Sequence, residues 1–134
     1  MGQQYRHDRH SVSLVNYHIV WITKRRKKVL TEEIEKRLRG IIWEVLQELD
    51  CKLISLEIQP DHVHLFVNAY PSLSAKDLVH RVKGRSSRLL RQEFPVLLRL
   101  PSLWTRSYFV STAGNVSSET VRKYIELQKE HHGA

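Results

Sequence analysis

The sequence predicts an α+β fold: an antiparallel sheet of ferredoxin-like, split βαββαβ topology, followed by one additional C-terminal helix. Three observations lead there. The length of 134 residues gives room for one domain, spanning 1–134, with one core. Apolar periods of two and of about 3.6 residues alternate in the order strand, helix, strand, strand, helix, strand, helix. Between the two middle strands lies only Pro60-Asp61, a compact pair of turn residues, so those strands should form an antiparallel hairpin.

From Ser13 to Thr23, Val15, Tyr17, Ile19 and Trp21 alternate with Asn16, His18, Val20 and Ile22. The second set is also partly apolar, which predicts a central strand, and KRRKK (Lys24 to Lys28) then leaves the sheet as a loop. Thr31 has the chemistry of an N-cap, with Glu32 and Glu33 in the dipole-favoured first turn. Ile34, Leu38, Ile41, Ile42, Val45 and Leu49 continue as a helical stripe that should end near Asp50. Residues 52–59 and 62–69 supply the hairpin strands. Ser74 and Asp77 form a capping-box pattern, with Leu73 and Leu78 at the staple positions, so a helix is expected from Ser74 to Glu93, just before Pro95. WTRSYFVST, Trp104 to Thr112, predicts the last strand. Gly114-Asn115 punctuates, and Ser117 caps a final helix running through Tyr124 and Gln128. A sheet of this topology carries both crossover helices on one face, so the opposite face is where function is expected.

Composition narrows the class of partner. Lys and Arg total 22 against 14 Asp and Glu, a formal charge of +8 that favours a polyanion, nucleic acid first. With 41% hydrophobic and 27% charged residues and no repeat, the composition is that of an ordinary globular protein, so an ordered chain is expected rather than a disordered one, and the length leaves no room for a multidomain enzyme. Cys51 alone cannot form an internal disulfide. No apolar run approaches the roughly 20 residues needed to cross a bilayer. The start, MGQQYRHDRH, lacks a signal peptide's apolar stretch. A cytoplasmic protein without a membrane partner is expected.

On the strand DHVHLFVNA, period two places His62, His64, Phe66 and Asn68 on one face and Val63, Leu65, Val67 and Ala69 on the other. The two histidine Cα atoms are then about 6.6 Å apart, close enough for both imidazoles to meet one divalent cation. Asp61 can supply an oxygen ligand or orient an imidazole from behind. Nitrogen and oxygen donors without a nearby cysteine suit Mg²⁺ or Mn²⁺ at a phosphate better than a closed structural zinc site. Tyr124 and Gln128 are four residues apart and share one helix face, putting an amide oxygen beside a phenol.

His-hydrophobic-His after a Pro-Asp turn, with Tyr-x-x-x-Gln on a C-terminal helix, resembles the single-tyrosine HUH transposases of small insertion sequences, the IS200-like group. The likeness spans nearly the whole chain: YHIVWITKRRKKVL, QPDHVHLFV, LWTRSYFVSTAG and VRKYIELQ. It implies that Tyr124 is the nucleophile, forming a 5′-phosphotyrosine while a 3′ hydroxyl leaves. It also implies that His62, His64 and Gln128 hold the metal, that the substrate is single-stranded DNA with hairpin ends, and that the protein is a homodimer. A phenol with a pKa near 10 needs its proton removed and the phosphate charge neutralised, so these residue types suit the chemistry. Joining through a covalent intermediate requires no ATP, in keeping with the lack of a Walker-type glycine loop, and no nucleotide cofactor is expected.

Phosphate contacts are expected from two basic clusters. One is Lys24, Arg25, Arg26 and Lys27. The other is the helix from Ser74 to Glu93, with Lys76, Arg81, Lys83, Arg85, Arg88 and Arg91 outside against Asp77 and Glu93. Gly84 weakens that helix by about 1 kcal/mol relative to Ala and leaves space for a DNA backbone. Asn16, His18 and Phe66, and likewise Trp104, Arg106 and Tyr108, are candidates to meet unpaired bases. Three other readings compete. A domesticated repeat-associated tyrosine transposase or a rolling-circle replication nuclease would share the histidine pair. A non-catalytic RNA- or single-strand-binding module would match LFVNAY and RSYFV, but its element order differs and it leaves His62, Tyr124 and Gln128 idle.

Overall fold

In the computed structural model, which describes residues 14–112 and 122–127, the strand with two apolar faces lies inside the sheet. This is β1 (Val15–Ile22), followed by α1 (Glu32–Glu48), β2 (Lys52–Gln59), β3 (His62–Ala69), α2 (Ala75–Glu93) and β4 (Phe109–Ser111). The sheet order is β2-β3-β1-β4 and all three pairings are antiparallel, as the split βαββαβ reading requires. Gln59 pairs with His62 across the two-residue Pro60-Asp61 turn, so the hairpin register is set at its first residue.

Alternation divides the sheet into two faces. Tyr17, Ile19 and Trp21 of β1, with Val63, Leu65 and Val67 of β3, pack against Leu38, Ile41, Ile42 and Val45 of α1 and Leu78, Val79, Val82 and Leu90 of α2. Each such fully buried aliphatic side chain contributes about 1.5–3 kcal/mol by leaving water. On the other face Val20 and Ile22 form a smaller cluster with Ile125, and Phe109 and Tyr124 pack on it. The helical residues 122–127 thus cover part of the face that α1 and α2 leave open.

The local details add to the sequence reading at one place and depart from it at two. The KRRKK loop is tightened into a 3₁₀ turn over Lys24–Arg26, with Arg25 at φ 56° and Arg26 at φ 52°, a detail that no residue pattern marks. Thr31 stands at the N-cap of α1 but its hydroxyl makes no capping bond, whereas Ser74 Oγ accepts from the Asp77 amide at 3.0 Å. The final strand is the three residues of β4, not the nine from Trp104 to Thr112. Trp104 turns into the core, edge-on to Trp21 at 5.8 Å and donating to Ser86 Oγ at 3.1 Å. Lys83 Nζ takes the carbonyls of Thr105 at 2.6 Å, Ser107 at 3.3 Å and Arg106 at 3.4 Å. Carbonyls held by a side chain do not extend a ladder. Ser117 and Gln128 lie outside the described residues.

Candidate active site on the open face of the sheet

The alternation on β3 sends His62, His64, Phe66 and Asn68 to the open face while Val63, Leu65, Val67 and Ala69 are buried beneath. Pairing with β1 puts Ile22 opposite His62, Val20 opposite His64, His18 opposite Phe66 and Asn16 opposite Asn68. A row of rings results, with centroid separations of 5.1 Å for His62 and His64, 5.8 Å for His64 and His18, and 5.6 Å for His18 and Phe66. At its far end Asn68 donates to Asn16 at 2.7 Å. Burial lowers the pKa of His64, and neighbouring His62 and His18 add to this against the pull of Glu57; burial lowers that of His18 too. Both rings therefore favour the neutral state, the one that carries a free nitrogen lone pair.

Asp61, in the turn before β3, is 6% exposed and has both carboxylate oxygens engaged. Oδ1 lies 2.7 Å from His62 Nδ1, and Oδ2 accepts from Arg26 Nη2 at 3.0 Å and Nε at 3.2 Å. Burial alone would raise this carboxyl's pKa, but His62 and Arg26 outweigh it and hold the group below the usual carboxylate range. Of the two roles open to Asp61 in the sequence, orienting an imidazole is the one its bonds serve.

Two imidazoles meeting from adjacent same-face positions, one backed by a carboxylate, fit a divalent cation that keeps open coordination positions. Among the described residues no set of three His, Cys, Asp or Glu side chains converges to hold a metal. Gln128, the third ligand the family resemblance implies, falls outside the described residues.

Tyr124 belongs to the helical residues 122–127, half-buried over the same face. Its neighbour Ile125 packs on Val20 and Ile22, the cross-strand partners of His64 and His62. The phenol lies 3.2 Å from Ser107 Oγ, and its ring stands 5.9 Å from that of Phe109. Burial raises the phenol's pKa, with the Ser107 bond working the other way. Ser107 was not singled out in the sequence, where nothing marks a lone serine as the neighbour of a tyrosine 17 residues further on.

The basic residues divide. Arg25 and Lys27 are exposed and Lys24 and Arg26 half-buried in the turn after β1; Lys76 and Arg88 are exposed on α2. Arg85 is not free on the surface: it makes two bonds to Glu48 of α1, at 2.6 and 3.1 Å. Lys83 is not outside either, being half-buried on its three carbonyls, and burial pushes its ammonium down to about 8. An open cleft of about 550 Å³ runs past Lys24, His80, Lys83, Gly84, Trp104 and Arg106. A Cβ built on Gly84 meets nothing within 4 Å. α2 itself packs on the sealed face of the sheet, opposite the face that carries the histidines.

Comparison with known proteins points one way. Residues 11–128 match the family described as "Transposase IS200 like". The ISDra2 transposase TnpA of Deinococcus radiodurans is 33% identical over 117 residues, covering 85% of this chain and 84% of that protein. The transposase for insertion sequence element IS200 of Salmonella typhimurium is 27% identical over 117 residues, 85% of this chain and 76% of that one. A crystal structure assigned as a transposase from Deinococcus radiodurans superposes with a TM-score of 0.85 at 34% identity, over 96% of this chain and 99% of its own. A REP-associated tyrosine transposase bound to a REP hairpin shares the fold, with a TM-score of 0.59 at 15% identity over 95% and 74% of the two chains. Among the described residues no helix is long and apolar enough to cross a membrane.

Proposed function

The chain belongs to the IS200-like transposase family, and from that premise we propose that it cuts and rejoins single-stranded DNA at insertion-sequence ends, with Tyr124 as nucleophile and a divalent metal ion as cofactor. The observation that carries the reading is the histidine pair on the open face of β3, beside the strand on which the tyrosine helix packs.

His62 and His64, with Gln128 as third ligand, would hold Mg²⁺ or Mn²⁺. Such a cation, when bound, offsets the charge that gathers on a phosphate under attack. Tyr124 Oη, having lost its proton, attacks the phosphorus. One O–P bond forms to the tyrosine as the bond to the 3′ oxygen breaks, and that oxygen takes up a proton and leaves as a hydroxyl. The new phosphodiester keeps the energy of the old, so a 3′ hydroxyl attacking it restores a DNA strand and frees the phenol. Ser107 offers its hydroxyl to the same phenol oxygen and favours the ionised form relative to burial alone. Exposed Arg25, Lys27, Lys76 and Arg88, with Lys24 in the cleft, supply phosphate contacts along the strand.

The partner in this reading is a single strand with hairpin ends, in keeping with the hairpin bound by the REP-associated relative of the same fold. The assembly is a homodimer, as the family resemblance implies. The experiment mixes wild-type and Tyr124→Phe protein with labelled single strands from the gene's own flanks, with Mg²⁺ or Mn²⁺. An SDS-resistant protein-DNA band should form with wild type and metal alone, and His62→Ala or His64→Ala should remove it. Undiminished cleavage by any of these variants refutes the role given to that residue. Binding of hairpin strands without cleavage would favour a domesticated, repeat-associated relative.

A further inference from the structure

Arg26 sits in the most basic segment of the chain, where composition alone assigns it to DNA, yet its guanidinium faces inward. Both Nε and Nη2 donate to Asp61 Oδ2, while Asp61 Oδ1 stands 2.7 Å from His62 Nδ1. The backbone is shaped for this contact. Arg25 and Arg26 take successive left-handed conformations, at φ 56° and 52°, which residues with a Cβ adopt only under constraint. Thr23 supplies the constraint from both ends. Its carbonyl accepts from the Arg26 amide at 3.0 Å, its hydroxyl donates to the Lys27 carbonyl at 2.7 Å, and its amide donates to the Asp61 carbonyl at 3.0 Å. An arginine that only met phosphates in solvent would need none of these bonds.

We infer that Arg26 is a positioning residue for the metal centre, acting through Asp61 on His62. A guanidinium can only donate, so it fixes Oδ2 and leaves Oδ1 to accept from His62. The ring must then carry its proton on Nδ1 and present Nε2 as the free donor. With both oxygens engaged, Asp61 stays behind the imidazole rather than joining the cation, and the strand contributes nitrogen ligands. This inference rests on the metal reading proposed above.

The test uses the full chain without DNA and compares wild type with Arg26→Met, Arg26→Lys and Asp61→Asn. Nitrogen-15 NMR at about pH 8, above the ordinary histidine pKa, reports the tautomer of His62 in metal-free protein; calorimetric titration with Mn²⁺ reports affinity. Wild type should show the Nδ1–H form. Arg26→Met should give a mixture of tautomers and a loss of Mn²⁺ affinity of about 10- to 100-fold, the range for losing an outer-shell partner. Arg26→Lys should restore part of it. Asp61→Asn should shift the ring to the Nε2–H form, because the single amide oxygen is claimed by Arg26 and the amide nitrogen is left facing His62. That shift is readable by NMR even if Arg26→Met fails to fold. Unchanged tautomer and Mn²⁺ affinity in the Arg26 variants, with weaker single-strand binding alone, would overturn the inference and return Arg26 to phosphate contact. Mn²⁺ bound to wild type whose His62 is Nε2–H would overturn it too. Wild type with the Nδ1–H form and no Mn²⁺ binding would instead break the metal reading and leave the clamp standing.

Discussion

At the scale of single residues, the phenol of Tyr124 is poised between two opposed influences. Burial favours the protonated form, and Ser107 favours the phenolate. Since the raised pKa lies above an ordinary value of 10.0, the reactive phenolate is scarce at neutral pH and its fraction grows as pH rises. Cleavage by wild type should therefore accelerate from pH 7 towards pH 9. Ser107→Ala removes the favourable bond, so it should slow cleavage severalfold at pH 7 and displace the rise to higher pH, with single-strand affinity unchanged; a pH-rate profile beside a binding curve checks both. The histidines were legible in the sequence because period two fixes which face a strand residue takes. Ser107, Lys83 and the inward turn of Arg26 were not. Each acquires its partner across 17 to 35 residues of intervening chain, a relation created by packing and written in no local pattern.

At the scale of elements, α2 contains a glycine whose missing side chain nothing fills. The open space around a Cβ at position 84 means Gly84→Ala should stabilise the helix, by up to about 1 kcal/mol, and raise Tm by a few degrees. If a DNA backbone approaches α2 closely in the cleft, the same variant should bind single strands more weakly; thermal unfolding and a binding isotherm separate the two effects. β1 was legible as a central strand because both its faces are apolar, whereas β4 was overread. WTRSYFVST has the composition of a strand, but Trp104 has a better site in the core and Lys83 takes the carbonyls that a longer ladder would need. Side-chain chemistry from α2 thus decides the length of a strand in the sheet.

At the scale of the whole molecule, the excess of eight positive charges acts on any polyanion before specific contacts form. Single-strand affinity should fall steeply with salt, and log Kd should rise linearly with log salt. Removing one exposed phosphate contact, as in Arg88→Ala, should flatten that slope by about 0.7, the single-strand value per phosphate. A similar change in Arg85, whose guanidinium is bound to Glu48, should alter the slope much less. The topology was legible because the order of periodicities admits few arrangements of one sheet and two crossover helices. The added helix was legible as an element, but its cover over Val20 and Ile22 depends on the tertiary fold.

β3 is hydrogen-bonded on both sides, buried on one face, and entered through a turn of only two residues. For heredity this makes a change of length graver than a change of letter. A conservative replacement at Val63 alters packing by a methyl group or two, but deletion of Val63 makes the two histidines neighbours in the chain and sends them to opposite faces of the sheet. Along this stretch the gene should accept many spellings of its apolar positions and almost no gaps.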